Sequence, residues 1–503
     1  MRRYGKFENH SGLGMNTSTE HLIGSSQSEK IFSTDWRSAH GGTIAVVEKA
    51  TGDWLFQAGV ANARDVAEAA VAARDAQVEW AAVPGPLRAD VLRKFSALLE
   101  AHADEVATWI VQETGSIQPK ARFEIAATAR EALEAAALGS RPVGEMLATT
   151  GGRPSYAERV PVGVVGLITP WNSPLILAAR ALFPALVLGN AVVLKPDIQT
   201  PVSGGLLIAR LFEEAGLPPG VLHVVPGGPE AGEALVAEPH VSMISFTGST
   251  NVGRRIGEVA GRLLKRTALE LGGNNALIIL DDADLERASS AGAFSSFFHQ
   301  GQICFSAGRH LVHESVLHHY TELLARRASA LQVGDPHRQH VHIGPMINLK
   351  QAERARQIVA DSVARGAKIE AGGKVNGLYF EPTVLSGVTA QMPVFSEEIF
   401  APVAPITSFS TDEQAIALAN DTEYGLAASV FSANEARAVR IAKRLKTGIA
   451  HVNDQTVVHE IFGPIGGTGA SGNSARSGNV TSLDEYTYWR WLTVAETVPD
   501  YPF

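Results

Sequence analysis

The chain contains a single cysteine, Cys304, in the run His299-Gln300-Gly301-Gln302-Ile303-Cys304. A lone cysteine is by default a small, inert, buried hydrophobe. Here Gly301 and its small polar neighbours suggest a sharp turn after a helix, which can present a thiol in a cleft. Such a thiol is a nucleophile where nearby N–H donors favour its thiolate. Glu270 lies 34 positions earlier (304 − 270), in Thr267-Ala268-Leu269-Glu270-Leu271-Gly272-Gly273-Asn274. A carboxylate at a strand end with two glycines behind it is either a solvated or capping group, or a general base able to swing toward water. Thr169-Pro170-Trp171-Asn172-Ser173-Pro174 falls between a strand and a helix. Asn172 there is either an N-cap or an amide donor for an oxyanion. Phe246-Thr247-Gly248-Ser249-Thr250-Asn251-Val252-Gly253 joins a strand, a glycine turn, hydroxyls and a helix start. Helix N-termini present free N–H groups, so this segment makes an anion cradle. It is not a GxGxxG fingerprint, and Gly248 and Gly253 alone are a weak signal.

Taken together, these segments resemble the aldehyde dehydrogenase superfamily, from about residue 40 to the C-terminus. The family's Glu-Leu-Gly-Gly and Gly-Gln-x-Cys motifs keep the same separation. Further matching runs are Val193-Leu194-Lys195-Pro196, Gly216-Leu217-Pro218-Pro219-Gly220-Val221, Glu397-Glu398-Ile399-Phe400-Ala401-Pro402, Asn420-Asp421-Thr422-Glu423-Tyr424-Gly425-Leu426 and Pro464-Ile465-Gly466-Gly467. The resemblance implies an aldehyde dehydrogenase-like α/β fold. That fold has a Rossmann-like cofactor domain, an α/β catalytic domain and a small oligomerisation β-extension. It also implies oxidation of an aldehyde to a carboxylic acid with NAD or NADP, and no metal. Cys304 would attack the carbonyl. The Asn172 amide and the Cys304 backbone N–H would hold the oxyanion, and Glu270 would activate the water that hydrolyses the thioester. Ile168, Trp171, Lys195, Gly248, Ser249, Gly253, Leu271, Glu398 and Phe400 would form the dinucleotide site. Ser249 would touch the pyrophosphate, Lys195 the adenosine ribose and Glu398 the nicotinamide ribose.

The chain also departs from the family pattern. Ile198 stands where a glutamate commonly binds the adenosine ribose hydroxyls. Losing that carboxylate removes repulsion toward a 2′-phosphate, with Lys195 at hand, so NADP use is opened beside NAD. Ser-Gly-x-Gly-Arg-Glu becomes Ser471-Gly472-Asn473-Ser474-Ala475-Arg476-Ser477, so a second glutamate base is missing and Glu270 stands alone. His299 replaces an asparagine and is expected to pack. The runs Lys195-Pro196-Asp197, His299 to Cys304, His451-Val452-Asn453-Asp454-Gln455-Thr456 and Gly469-Ala470-Ser471-Gly472-Asn473 are similar to benzaldehyde and vanillin-type dehydrogenases. That likeness implies an aromatic aldehyde, with Phe298, Phe305 and Phe462 as candidate pocket walls. The alternatives are an aliphatic aldehyde or semialdehyde, a CoA-acylating enzyme (against which Glu270 stands), or a non-catalytic binding protein on this fold.

What must position these residues is an alternation of strands and helices. Strands are expected over Val162–Thr169, Ala191–Lys195, Val221–Val225 and Val241–Phe246. Helices are expected over Leu175–Leu188, Pro201–Ala215 and Val252–Ala260. Near-continuous apolar strands imply a parallel sheet covered on both faces, with ligands at the carboxyl ends of its strands. A second unit is expected from a strand Ala276–Leu280, a helix Leu285–His299 and a strand His310–His313. Residues 60 to 140 read as helical. The segment 149–162 reads as an exposed hairpin or strand. The aromatic stretch Tyr486–Val494 reads as a strand that needs covering, most simply by a partner subunit. The expected boundaries are a mobile tail over 1–30, a cofactor domain over 31–148 and 163–270, a catalytic domain over 271–470, and oligomerisation segments over 149–162 and 482–503. The resemblance implies a homodimer or homotetramer built from these last segments.

Composition sets outer limits. The 503 residues, 45% hydrophobic and 19% charged, suffice for about two or three packed domains. A net charge of −9 argues against a nucleic-acid partner. One cysteine permits no intramolecular disulfide, which fits a reducing cytoplasm. No signal-peptide pattern and no apolar run of about 18 residues is present, so no membrane partner is expected.

Overall fold

The computed structural model describes residues 21–149, 152–458, 460–478 and 481–503. Two seven-stranded sheets carry the chain. The first runs in the order Arg266–Glu270, Met243–Thr247, Val164–Ile168, Ala191–Lys195, Leu222–Val224, Lys30–Phe32, Trp36–Ser38. Its first five strands are parallel and its last two antiparallel. Every residue of Val164–Ile168 and Ala191–Lys195 is buried, as a sheet sandwiched between helices requires. One face is covered by Gly85–Ala101, Gln118–Leu138, Pro174–Val187 and Leu207–Ala215, where Phe95, Phe183 and Phe212 pack ring against ring. The other face is covered by Ala63–Ala82, Pro229–Ala237 and Thr250–Arg262.

The second sheet runs Lys368–Ala371, Thr383–Ser386, Val403–Phe409, Ala307–His313, Asn275–Ile279, Ala427–Phe431, Ile449–Val452. All its pairings are parallel except that of the edge strand Lys368–Ala371. A third, three-stranded sheet joins Thr487–Thr493, Ser155–Pro161 and Gly144–Met146. Its outer strand exposes Tyr488, Trp489 and Trp491. Among the described residues no helix is long and apolar enough to cross a membrane.

The differences from expectation have local causes. The tail does not extend to residue 30. Leu22 and Ile23 are two adjacent apolar side chains buried in the first core, and their N–H groups donate to Glu105. Residues 1–20 of that expected tail lie outside the described residues. The helix expected from Pro201 begins with a wider π turn, Val202–Leu206, where the buried Glu113 carboxylate accepts the N–H groups of Val202 and Ser203. The helix expected to reach His299 ends at Phe297, because His299 and Gln300 take positive φ. The strand Arg266–Glu270 ends at Glu270, where a strand end was expected, and begins with an exposed arginine; the helix Pro229–Ala237 was not anticipated.

Asn190 ties this architecture to the C-terminal segment. Its side chain, fully buried, accepts from Gly163 N at 3.0 Å and donates to Ala185 O at 2.9 Å and Tyr486 O at 3.1 Å. Asn190→Ala leaves the Gly163 N–H without its partner and takes one donor from each carbonyl, which keep Asn190 N and Val162 N; an orphaned buried group costs about 1–3 kcal/mol. The expected outcome is a lowered thermal midpoint by scanning calorimetry, with an unchanged midpoint counting against the tie.

Candidate active site

The helix Leu285–Phe297 runs into three consecutive left-handed residues, His299 (φ 50°), Gln300 (φ 57°) and Gly301 (φ 65°). Two of them carry side chains, so the turn is strained and must be held. Gln300 Nε2 donates to Gly115 O at 2.9 Å and Pro345 O at 2.7 Å. Gln302 Oε1 accepts from Ile347 N at 3.0 Å. A Cβ on Gly301 would lie 2.2 Å from Ala401 O, so the third position admits only glycine. This turn leaves Cys304 half-buried, beside a small cluster of Phe305, Leu426, Ala427 and Ile465. Its carbonyl accepts from Asn275 Nδ2 at 2.8 Å. His299 is buried and packs, as expected; burial and the nearby Lys120 hold its pKa well below the ordinary histidine value.

Asn172 follows the strand Val164–Ile168, and Ser173, not Asn172, is the N-cap of the next helix. The Asn172 amide is buried and donates to Gln302 O at 2.8 Å. A primary amide has two N–H bonds, so one remains for a ligand. Glu270 is the last residue of its strand, pairs with Thr247 and bridges to Gly472. Its Oε1 is buried without a hydrogen-bond partner.

Burial pushes the Glu270 carboxyl up to about 8; Arg180 and Arg476 oppose this and Glu485 adds to it. Burial likewise pushes the Cys304 thiol up to about 12, opposed by Arg180 and reinforced by Glu398 and Glu270. The sequence suggested donors that favour a thiolate. In the folded chain desolvation outweighs them, and the resting thiol is neutral.

Two adjoining cavities lead to the thiol. The first, of about 640 Å³, is lined by Ile168, Lys195, Ile198, Gly232, Val252, Arg255 and Ile256 among others. The second, of about 340 Å³, is lined by Asn172, Leu271, Gly272, Cys304, Glu398 and Phe400 among others. Pro170, Trp171, Thr247, Gly248 and Ser249 wall both. Ser249 caps the helix Thr250–Arg262 without a side-chain hydrogen bond, which leaves its first-turn N–H groups to an anion. Gly253 is close-packed: a Cβ there would lie 2.3 Å from Leu271 Cδ2. A Cβ on Gly272 would lie 2.3 Å from Glu398 Oε2. Glu398 accepts from Gly273 N at 2.9 Å, and burial pushes its carboxyl up to about 7. The Phe400 ring stands edge-on to Trp171 at 5.5 Å, on a left-handed backbone (φ 56°). Lys195 is buried at its strand end, donates to Pro196 O at 3.3 Å, and has its pKa lowered by burial against Asp197. An apolar recess, a helix N-terminus at the waist and a carboxylate in the cavity of the thiol fit a dinucleotide in donor set.

All the expected site residues thus border one continuous cleft or abut it. Of the three expected aromatic walls, Phe305 packs beside Cys304, Phe298 stacks on Phe294 at 4.6 Å, and Phe462 is exposed. The sequence reading missed Arg180, Arg476, Gln351 and Arg354. The last two anchor the Glu398–Phe400 loop: Arg354 Nη1 donates to Glu398 O at 2.9 Å, and Gln351 Nε2 to Ile399 O and Phe400 O at 3.1 and 3.2 Å. Polar residues inside helices carry no local mark of such a task.

A model of the aldehyde dehydrogenase family matches residues 36–492. The chain is 50% identical over 475 residues to a vanillin dehydrogenase of Amycolatopsis sp., covering 94% of this chain and 98% of that one. It is also 50% identical over 475 residues, with the same coverage, to a benzaldehyde dehydrogenase (NAD+) of Pseudomonas putida. Among solved structures, a betaine aldehyde dehydrogenase of Staphylococcus aureus in complex with NAD+ superposes with a TM-score of 0.91 at 30% identity, covering 95% of this chain and 96% of that one. Sequence, fold and cleft agree, and the chain belongs to the aldehyde dehydrogenase family.

Proposed function

We propose that this enzyme oxidises an aromatic aldehyde to the carboxylic acid, with Cys304 as covalent nucleophile and Glu270 as general base. The observation that carries this reading is Glu270, whose buried, unpartnered oxygen sits in the electrostatic field of the only thiol. Cys304 Sγ bonds to the carbonyl carbon, the C=O π pair moves onto oxygen, and the thiol proton passes to solvent water in the cleft. The free N–H of the Asn172 amide and the Cys304 backbone N–H hold the resulting oxyanion. When bound, the nicotinamide cofactor accepts the hydride that leaves this carbon. The Cys304 thioester is then opened by water, whose proton passes to Glu270, and the thiol departs.

An aromatic substrate is supported by the apolar wall around Cys304 and by the names of the two relatives at 50% identity. For the cofactor, Ser249 and the helix behind it would hold the pyrophosphate, and Glu398 the nicotinamide ribose. Lys195 and Arg255 give the adenosine end two cations, opposed by Asp197 and by Glu233, which pairs with Arg255 at 2.9 Å. Ile198 adds no carboxylate there. This balance supports use of both NAD and NADP. Residues 31–148 and 163–270 serve as cofactor domain and 271–470 as catalytic domain. The exposed aromatic strand Thr487–Thr493 supports a homodimer or homotetramer, and the single cysteine a cytoplasmic enzyme.

Two measurements test the chemistry. Cys304→Ala is expected to abolish aldehyde-dependent cofactor reduction. Glu270→Gln is expected to keep a first-turnover burst while steady-state turnover falls about 10²- to 10⁴-fold. Because the base acts deprotonated and its pKa is raised to about 8, deacylation should rise with pH through about 8 and level off above it. Arg476→Gln removes an opposing cation and should move that inflection upward. A flat deacylation profile between pH 6 and 9 argues against Glu270 as the base. For specificity, kcat/KM across benzaldehydes and short aliphatic aldehydes should favour the aromatic set with either cofactor. An aliphatic preference overturns the substrate reading and leaves the family intact.

A further inference from the structure

The two side chains of the ion pair Lys120–Glu124 are both almost free of solvent, at 3% and 1% exposure. A buried pair is a poor way to add stability, because desolvating two charges offsets most of their attraction. Its remaining hydrogen bonds show where it acts. The two residues lie one turn apart on the helix Gln118–Leu138, which packs against the helix Pro174–Val187. Lys120 Nζ donates to the backbone carbonyl of Asn172 at 3.0 Å. Glu124 Oε1 accepts from Leu175 N at 2.9 Å and Ile176 N at 3.2 Å. Pro174 has no N–H, so these are the first two donors inside that helix. One ion pair therefore grips the segment 172–176 at both ends.

The opposite side of the same segment meets the thiol turn, where Asn172 Nδ2 donates to Gln302 O. Lys120 also faces His299 at the start of that turn. The direction of the Asn172 carbonyl sets its peptide plane, and with it the line along which the side-chain amide leaves the backbone. An oxyanion donor displaced by a fraction of an ångström loses most of its effect.

We propose that Lys120, clamped by Glu124, is a positioning residue that fixes the Asn172 amide as oxyanion donor opposite Cys304. The inference rests on the oxyanion role given to Asn172 above. Lys120 does not touch substrate; it acts through the peptide it holds.

The test is a double-mutant cycle on the full-length enzyme, read as the single-turnover rate of NAD+ or NADP+ reduction with benzaldehyde, with cofactor Kd measured by fluorescence titration. Asn172→Ala should lower the rate about 10²- to 10³-fold. Lys120→Met should lower it roughly 10-fold or more with cofactor Kd unchanged, and Lys120→Arg should recover part of the loss. In the Asn172→Ala background, Lys120→Met should have no further effect, because the group it positions is gone. An equal further loss in that background overturns the proposal, as does a folded Lys120→Met enzyme with the parental rate. If Lys120→Met does not fold, Glu124→Gln and Lys120→Arg complete the same cycle and are judged by the same two outcomes. If Asn172→Ala alone keeps the parental rate, the oxyanion assignment itself fails and this inference falls with it. A loss confined to the Lys120 variants is then a stability effect, visible in the thermal midpoint.

Discussion

The site depends on a backbone conformation that most residues avoid. His299, Gln300 and Gly301 all lie in the left-handed region, and only one of them is glycine. The strain is sustained by the Gln300 side chain, which reaches carbonyls contributed by Gly115 and by Pro345. Those two acceptors come from different parts of the chain. The thiol is therefore placed by an agreement between segments more than 180 positions apart for one bond and 45 for the other. Relaxing the turn would return Cys304 to the run of the helix before it. Asn172, tied to Gln302, would then lose its fixed distance to the sulfur.

Around this turn the chamber disfavours charge. Burial raises the thiol, Glu270 and Glu398 alike, while Arg180 opposes it at the thiol and Glu270, Arg476 at Glu270, and Gly273 N and Arg354 at Glu398. A chamber of this kind does not store a thiolate. On the proposed mechanism proton transfer coincides with bond formation, and a base whose pKa lies near neutrality suits that task. The unpartnered oxygen of Glu270 follows from the same logic, because a carboxylate fully occupied by donors would be a weak base.

Much of this was legible in the sequence, and the reason is positional. Asn172, Ser249 and Glu270 sit at the carboxyl ends of apolar strands, where a change from strand to glycine turn or helix marks the spot. Glu398 and Phe400, which line the cavity at the thiol, were singled out by motif, since nothing in their local pattern marks a place in a cleft. What stayed hidden are residues defined only by packing. Arg180 lies within a wholly buried helix, Arg476 in a loop that returns to Glu270 from the far end of the chain, and Lys120 and Glu124 in a stretch read only as helical. The protonation state of Cys304 was hidden for the same reason: flanking residues indicate a turn, whereas desolvation depends on what folds over it. The burial of Leu22 and Ile23 was not anticipated, because two adjacent apolar residues in a polar stretch make no periodic pattern.

The single cysteine has a practical reach beyond its chemistry. With one sulfhydryl in 503 residues, any thiol-directed reagent that modifies this chain modifies the chamber. A mass spectrum of labelled protein therefore reports modification at this one position, free of background from other thiols. A probe attached there would report on the cleft alone, without the mutagenesis that proteins with several cysteines demand.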